Sequence, residues 1–221
     1  MAKISLKQQA YITIKSKILS CEYSPNSFLN EDLLCEELQV SRTPIRDALG
    51  RLEQEHLIKI IPKKGFFVAP LSIGEINMAF EARMLIEPYI LLNYCKHMDA
   101  EDLQLLYSNI KVSRAALVSD DYRKLFELDD DFHKVILKQC NNHYILQTYK
   151  SVHDQSCRLR ILSGRYDDSR LNATIDEHMA ILDNLAKREL DAAAKAMEVH
   201  LINSKNSCFQ AFMNGSSNFE L

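Results

Sequence analysis

Apolar residues recur three and four apart along most of this chain, and the places where that rhythm breaks divide it in two. In the front part, "LKQQAYITIKSKILS" predicts a helix whose apolar content comes largely from Ala10, Ile12, Ile14 and Ile18. A second helix is predicted in "NEDLLCEELQV", capped by Asn30, and a third in "SRTPIRDALGRLEQE". In the third, Ile45, Ala48, Leu49 and Leu52 form one buried stripe. Pro44 falls in its first turn, where a missing N–H costs nothing, and Ser41 is a good N-cap. The rhythm then changes. Leu57, Ile58, Ile60 and Ile61 predict a strand, "PKKG" a turn, and Phe66, Phe67 and Val68 a second strand. Three helices, the second and third joined tightly through "LQV", followed by a hairpin, define a winged helix-turn-helix.

Beyond "APLSIGE" (69–75) the strand signal stops. All five prolines lie at or before Pro88, and only Gly164 and Gly215 follow it. So few breakers, with helical spacing throughout, predict about six helices near 73–95, 100–118, 121–139, 143–163, 168–187 and 190–213. Pro88 is expected to kink the first. The fold class is therefore mainly α: a winged helix-turn-helix with a small β-hairpin wing over 1–71, then an all-helical bundle over 72–221. The last residues, "NGSSNFEL", have the composition of a loose tail.

Composition adds three constraints. With 47% hydrophobic and 26% charged residues in 221, the chain can bury a real core. No stretch approaches 18 uninterrupted apolar residues, and the N-terminus lacks the apolar region of a signal peptide, so cytoplasmic localisation and no membrane partner are expected. The six cysteines, with no C-x-x-C pair, suit reduced thiols at packed positions. The net charge of −3 is unevenly placed. Residues 1–70 carry +2 and the remainder −5, consistent with a DNA-binding head on a regulatory body.

In a winged helix-turn-helix the third helix enters the major groove N-terminus first. Ser41 can meet a phosphate at that terminus. Arg42 and Arg46, four apart and on one face, can read guanine or clamp phosphates, and Thr43 can contact a phosphate or a thymine methyl. Lys63 and Lys64 at the wing tip can approach phosphates, while Gly65 supplies the unusual backbone angle of the turn. The alternative is a solvated arginine pair on an ordinary helix, and the hairpin behind it tips the balance toward DNA.

These residues resemble the GntR family of bacterial transcription regulators, through V-S-R-T-P-x-R-[ED]-A-L and the glycine-containing wing. The resemblance implies a homodimer on a double-stranded operator of two-fold symmetry. It assigns DNA contacts to Ser41, Arg42, Thr43 and Arg46, with Gly65 at the wing. Two departures stand out. His56 occupies a position where glycine is frequent, and Ile61–Lys64 replaces a common R-P-N-R-G wing.

In the back part, Asp129 and His133 stand i, i+4 on a predicted helix, and His178 and His200 lie on two others. A carboxylate and three imidazoles meeting inside a bundle suit Zn, Ni or Mn, with positions open for a ligand. The i, i+4 relation favours Asp129 over Asp130 and Asp131. His97, His143 and His153 are read as ordinary helix residues. This part resembles the FCD effector domain of the FadR-like branch, in its shorter VanR-like version, through "RMLIE" (83–87), F-x-L-D-x-x-F-H (126–133), N-x-x-I (142–145), EH-x-x-I (177–181) and H-L (200–201). The resemblance implies the metal set Asp129, His133, His178 and His200 and a small carboxylic acid effector. Arg83 is the candidate effector contact, with an ion pair to Glu87 as the alternative; Arg158 and Arg160 are weaker candidates. The function expected is a ligand-responsive repressor, not an enzyme. A metal-dependent enzyme and a regulator with a purely structural metal are the alternatives. No nucleophile or general base is tied by spacing to the four residues.

Overall fold

The computed structural model describes residues 4–164 and 168–213; the tail 214–221 and the side chain of Arg160 lie outside the described residues. The described residues form two compact units that divide between Ser72 and Ile73.

The first unit contains α1 (Leu6–Leu19), β1 (Phe28–Leu29), α2 (Glu31–Leu38), α3 (Arg42–Gln54), β2 (Ile58–Ile61) and β3 (Gly65–Val68). Asn30 caps α2 as its sequence predicts: its Oδ1 accepts from Asp32 N at 2.8 Å and Leu33 N at 3.3 Å. Gln39, in the left-handed region at φ 53°, ends that helix and turns the chain into α3. The core is built from Ile14, Ile18, Leu34, Ile45, Ala48, Leu49, Leu52, Leu57 and Val68. The stripe expected on α3 is wholly inside. Of the apolar residues on α1, Ala10, Ile14 and Ile18 are buried and Ile12 is 46% exposed. Tyr11 packs inward instead, donating from its hydroxyl to Glu55 Oε1 at 2.6 Å while the Arg51 guanidinium covers its ring at 3.8 Å. A phenol can lie on a core edge and keep its hydroxyl paired, which a count of aliphatic residues does not register.

The wing is an antiparallel hairpin in the register Ile58↔Val68, Ile60↔Phe66 and Ile61↔Gly65. Its sheet has a third strand that periodicity could not reveal. The two residues of β1 pair with the other edge of β3, Phe28 opposite Phe67, giving the order β1-β3-β2. Two residues are too few to show an alternation.

The second unit is helical: α4 (Ile73–Tyr94), a 3₁₀ turn (Cys95–His97), α5 (Ala100–Val118), α6 (Tyr122–Leu137), α7 (His143–Gly164), α8 (Asp168–Ala186) and α9 (Leu190–Met213). Asp99 caps α5, Asp121 caps α6, and the Asn142 side chain accepts from Tyr144 N at the start of α7. One helix, α4, runs through Pro88, which is buried and supplies no N–H to the preceding turn. Helix α9 packs on α4, α7 and α8, and α5 packs on α6 and α8. This arrangement brings α4, α6, α8 and α9 around one polar centre. All six cysteines are free thiols. No helix among the described residues is long and apolar enough to cross a membrane.

Candidate nucleic-acid interface and metal centre

The first turn of α3 presents Ser41, Arg42, Thr43 and Arg46, all exposed. Ser41 occupies the N-cap position in extended conformation, but its side chain makes no capping hydrogen bond. The two arginines already face carboxylates. Arg42 donates to Asp32 Oδ1 from Nε at 3.0 Å and Nη2 at 2.7 Å. Arg46 donates to Glu31 Oε1 at 2.6 Å and Oε2 at 3.1 Å. These acids sit in the first turn of α2, where they complement the helix dipole. Both guanidinium groups are 64% exposed, so the pairs are weak and solvent-screened.

At the wing tip, Lys64 N donates to Ile61 O at 3.0 Å and closes a turn with Pro62 and Lys63 at its centre. Lys63 has φ 64° and Gly65 φ 106°, and both Lys63 and Lys64 are exposed. A Cβ on Gly65 would stand 2.8 Å from Phe28 Cε2, so this glycine is required by backbone angle and by space. His56, at the helix-to-wing turn, has φ 58°: the left-handed angle a glycine would take without strain is present, held by a histidine.

In the helical unit, Asp129 and His133 on α6, His178 on α8 and His200 on α9 converge, each offering a donor atom within 4.8 Å of the others. The three histidines are buried. Their ring centroids lie 4.7 to 5.3 Å apart, and Phe132 stacks flat on His178 at 3.9 Å. Donors around one ion at ~2.1 Å lie roughly 3 to 4 Å apart, so the set needs only a small contraction to hold one.

Two carboxylates not expected from sequence orient these rings. Glu87 Oε2 lies 2.7 Å from His133 Nδ1, and Glu177 Oε2 lies 2.8 Å from His200 Nδ1. The Glu177 contact is a hydrogen bond that fixes Nδ1–H on His200 and leaves its Nε2 as the lone-pair nitrogen, the arrangement that tunes histidine ligands, whereas Glu87 meets His133 as a close charge contact without hydrogen-bond geometry. Burial alone would raise the Glu87 carboxyl, but Arg83 and His133 outweigh it and keep it ionised, well below the usual carboxylate range. Burial likewise opposes ionisation of Glu177, yet the hydrogen bonds from His200 and Arg170 bring it down to about 2. Burial lowers His200, favouring the neutral imidazole that a metal requires.

Arg83 forms the ion pair with Glu87. It is buried and donates from Nε to Glu87 Oε1 at 2.5 Å, the i, i+4 ion pair. Its Nη2 also lies 3.4 Å from His133 Nε2, at the edge of the cluster, and its Nη1 is buried with no hydrogen-bond partner among the described residues. Arg158 is buried on α7 and donates to Gln155 at 3.0 Å. A small pocket of about 60 Å³ opens beside Asp129 and His178. It is lined further by Arg170, Thr174 and Ser204. Arg170 clamps Glu177 with two bonds of 2.7 and 2.8 Å and reaches Ser204 Oγ at 2.9 Å. Glu177 adjoins His178 in the chain, but nothing in the spacing says that it turns to His200.

A winged head followed by a helical unit with a buried polar centre is the plan of a DNA-binding transcription regulator. Comparison with known proteins gives the family: residues 6–68 match the model of the bacterial regulatory proteins, gntR family, and residues 78–203 match the FCD domain. The chain belongs to the GntR family, with an FCD domain behind its winged helix, and is a transcription regulator rather than an enzyme. It is 26% identical over 196 residues to the HTH-type transcriptional repressor RspR of Escherichia coli (strain K12), covering 89% of this chain and 86% of that one. It is also 26% identical over 199 residues to the HTH-type transcriptional repressor GlaR of the same organism, covering 87% and 90%. Among solved structures, Escherichia coli McbR/YncC superposes with a TM-score of 0.83 at 17% identity, covering 94% of this chain and 99% of that one, and so shares the fold.

Proposed function

We propose that the protein is a ligand-responsive repressor that binds a two-fold symmetric operator as a homodimer, and that its effector is a small organic acid held at a metal centre. The observation that carries this reading is the convergence of Asp129, His133, His178 and His200 beside an open pocket. Zn, Ni or Mn suits three imidazoles and a carboxylate. A bound ion would supply a Lewis-acidic position to which an effector carboxylate attaches.

The residues of this chain supply the rest. Glu87 and Glu177 hold two rings in ligating orientation. Arg83, whose charge is met by Glu87, brings to the cluster a buried Nη1 with no hydrogen-bond partner among the described residues. A donor left in that state is satisfied by an acceptor oxygen, which supports Arg83 as a contact for an effector carboxylate or hydroxyl. On the head, Ser41, Arg42, Thr43 and Arg46 would meet the major groove, with Lys63 and Lys64 along the backbone and Gly65 shaping the wing. The repressor reading rests on relatives so named. The homodimer reading is supported by α4, where Met78, Leu85, Tyr89 and Leu92 are exposed at spacings of seven, four and three, an apolar seam suited to a second copy.

The first experiment is metal analysis of chelator-free protein beside His178→Ala. One ion per chain more in the wild type than in the variant supports the site and is followed by a thermal-shift screen of carboxylic acids on loaded protein. Equal metal content in the two, after incubation with Zn, Ni and Mn, overturns it. A stabilising ion with no response to any acid points to a structural metal. Separately, Arg46→Ala is expected to weaken operator binding about 10- to 100-fold by fluorescence anisotropy. An unchanged preference for operator over random DNA would remove Arg46 as a base reader.

A further inference from the structure

A second group of metal-ligating side chains lies next to the first without sharing a residue. On α7, His153 and Cys157 stand i, i+4, and both face Asp130 of α6, the neighbour of Asp129. His153 Nε2 is 3.2 Å from Asp130 Oδ1. Cys157 Sγ is 3.4 and 3.5 Å from the two oxygens of Asp130. The same sulfur is 3.6 Å from His153 Nδ1 and 3.9 Å from Nε2.

These separations are informative. An ion in tetrahedral coordination, with metal–sulfur bonds of ~2.3 Å and metal–nitrogen or –oxygen bonds of ~2.0 Å, sets its donors roughly 3.3 to 3.6 Å apart. The observed trio straddles that range, so the donors stand where an ion would need them with little movement of either helix. Their types also agree. A thiolate, an imidazole and a carboxylate form a mixed soft and borderline set, the kind zinc accepts and magnesium or calcium does not. His153 and Cys157 are one helical turn apart, a spacing that chelates from a rigid element. The side chains of His153 and Asp130 keep 14% and 22% of their surface accessible, leaving a route for entry.

We propose that Asp130, His153 and Cys157 form a second binding site for a thiophilic divalent cation of the zinc class, distinct from the Asp129/His133/His178/His200 centre. Binding exchanges the Cys157 thiol proton for the ion: the S–H bond breaks, the proton leaves to solvent, and a sulfur–metal bond forms. Burial pushes that thiol up to about 12, so the proton is present at neutral pH and one is released per ion. Adjacent aspartates on α6 thus serve two sites, Asp129 toward α8 and α9 and Asp130 toward α7.

The test is titration of metal-free full-length protein with Co²⁺, under a non-thiol reductant, followed by absorption. Wild type is expected to take up two equivalents and develop a near-ultraviolet thiolate-to-cobalt charge-transfer band. Cys157→Ser should lose the band and one equivalent. His178→Ala should lose one equivalent and keep the band, so failure at the first site is distinguishable from failure here. Absence of the band in wild type at saturation, or its survival in Cys157→Ser, overturns the proposal. Should Cys157→Ser fail to fold by circular dichroism, His153→Gln decides: an undiminished band in that variant counts against the site, and a lost band supports it.

Discussion

Arg42 and Arg46 are held by Asp32 and Glu31, the kind of charge that competes with a phosphate for a guanidinium. Removing the competitor should help the DNA. Glu31→Gln and Asp32→Asn are each expected to raise operator affinity about two- to fivefold, the range a weak exposed pair represents. Exposed Glu36 on the same helix is the control: Glu36→Gln changes net charge equally but frees neither arginine. Equal gains in all three variants would mean that charge alone is responsible. His56 makes a separate case. Its φ of 58° costs a non-glycine residue roughly 1 kcal/mol, part of which glycine gives back through its freer unfolded chain. His56→Gly should therefore stabilise the head by about 0.5 kcal/mol in chemical denaturation, and a destabilised variant would show that the imidazole makes contacts worth more than the backbone strain.

Elements matter here because of which faces they bring together. Helix α4 contributes no ligand to the first centre, yet it carries Glu87 and Arg83, which orient His133 and charge its surroundings. Such supporting carboxylates are typically worth 10- to 100-fold in metal affinity. Glu87→Gln should lower the affinity of this centre by about that factor in competition with a chelator, with the centre still filled at saturation. An unchanged affinity would reduce Glu87 to a partner of Arg83 alone. The N-terminus of α2 offers a simpler test. Asn30→Ala removes two capping bonds and should cost about 1 kcal/mol of head stability, read as a lower midpoint in urea.

At the scale of the whole molecule, operator recognition by a two-fold symmetric dimer requires a surface that meets its own copy. Leu85 is 71% exposed in the middle of the α4 seam, where a charge would be tolerated by a monomer and buried in a dimer. Leu85→Glu is expected to shift the protein to monomer in sedimentation while leaving its helical content unchanged. A variant that stays dimeric would move the interface off α4. Coupling between effector and operator in such regulators is typically about 1–3 kcal/mol, so a five- to hundredfold change in operator affinity on adding the acid is the scale to look for.

Local patterns alone specified the helices of both units, since a buried stripe every three or four residues and a cap at its start are properties of consecutive residues. The hairpin was legible for the same reason: a β-branched run and an aromatic one flank a proline- and glycine-bounded turn. The pair Asp129 and His133 was visible because one helical turn separates them. What local pattern could not supply is anything that depends on which elements meet. Strand β1 exists because β3 has an open edge, and Tyr11 packs inward because Glu55 and Arg51 receive it. The pairing of Arg42 and Arg46 with α2, the turn of Glu87 and Glu177 toward histidines, and the meeting of Asp130 with His153 and Cys157 join residues from ten to 46 positions apart. Periodicity says that a face is buried; only packing decides what lies opposite it.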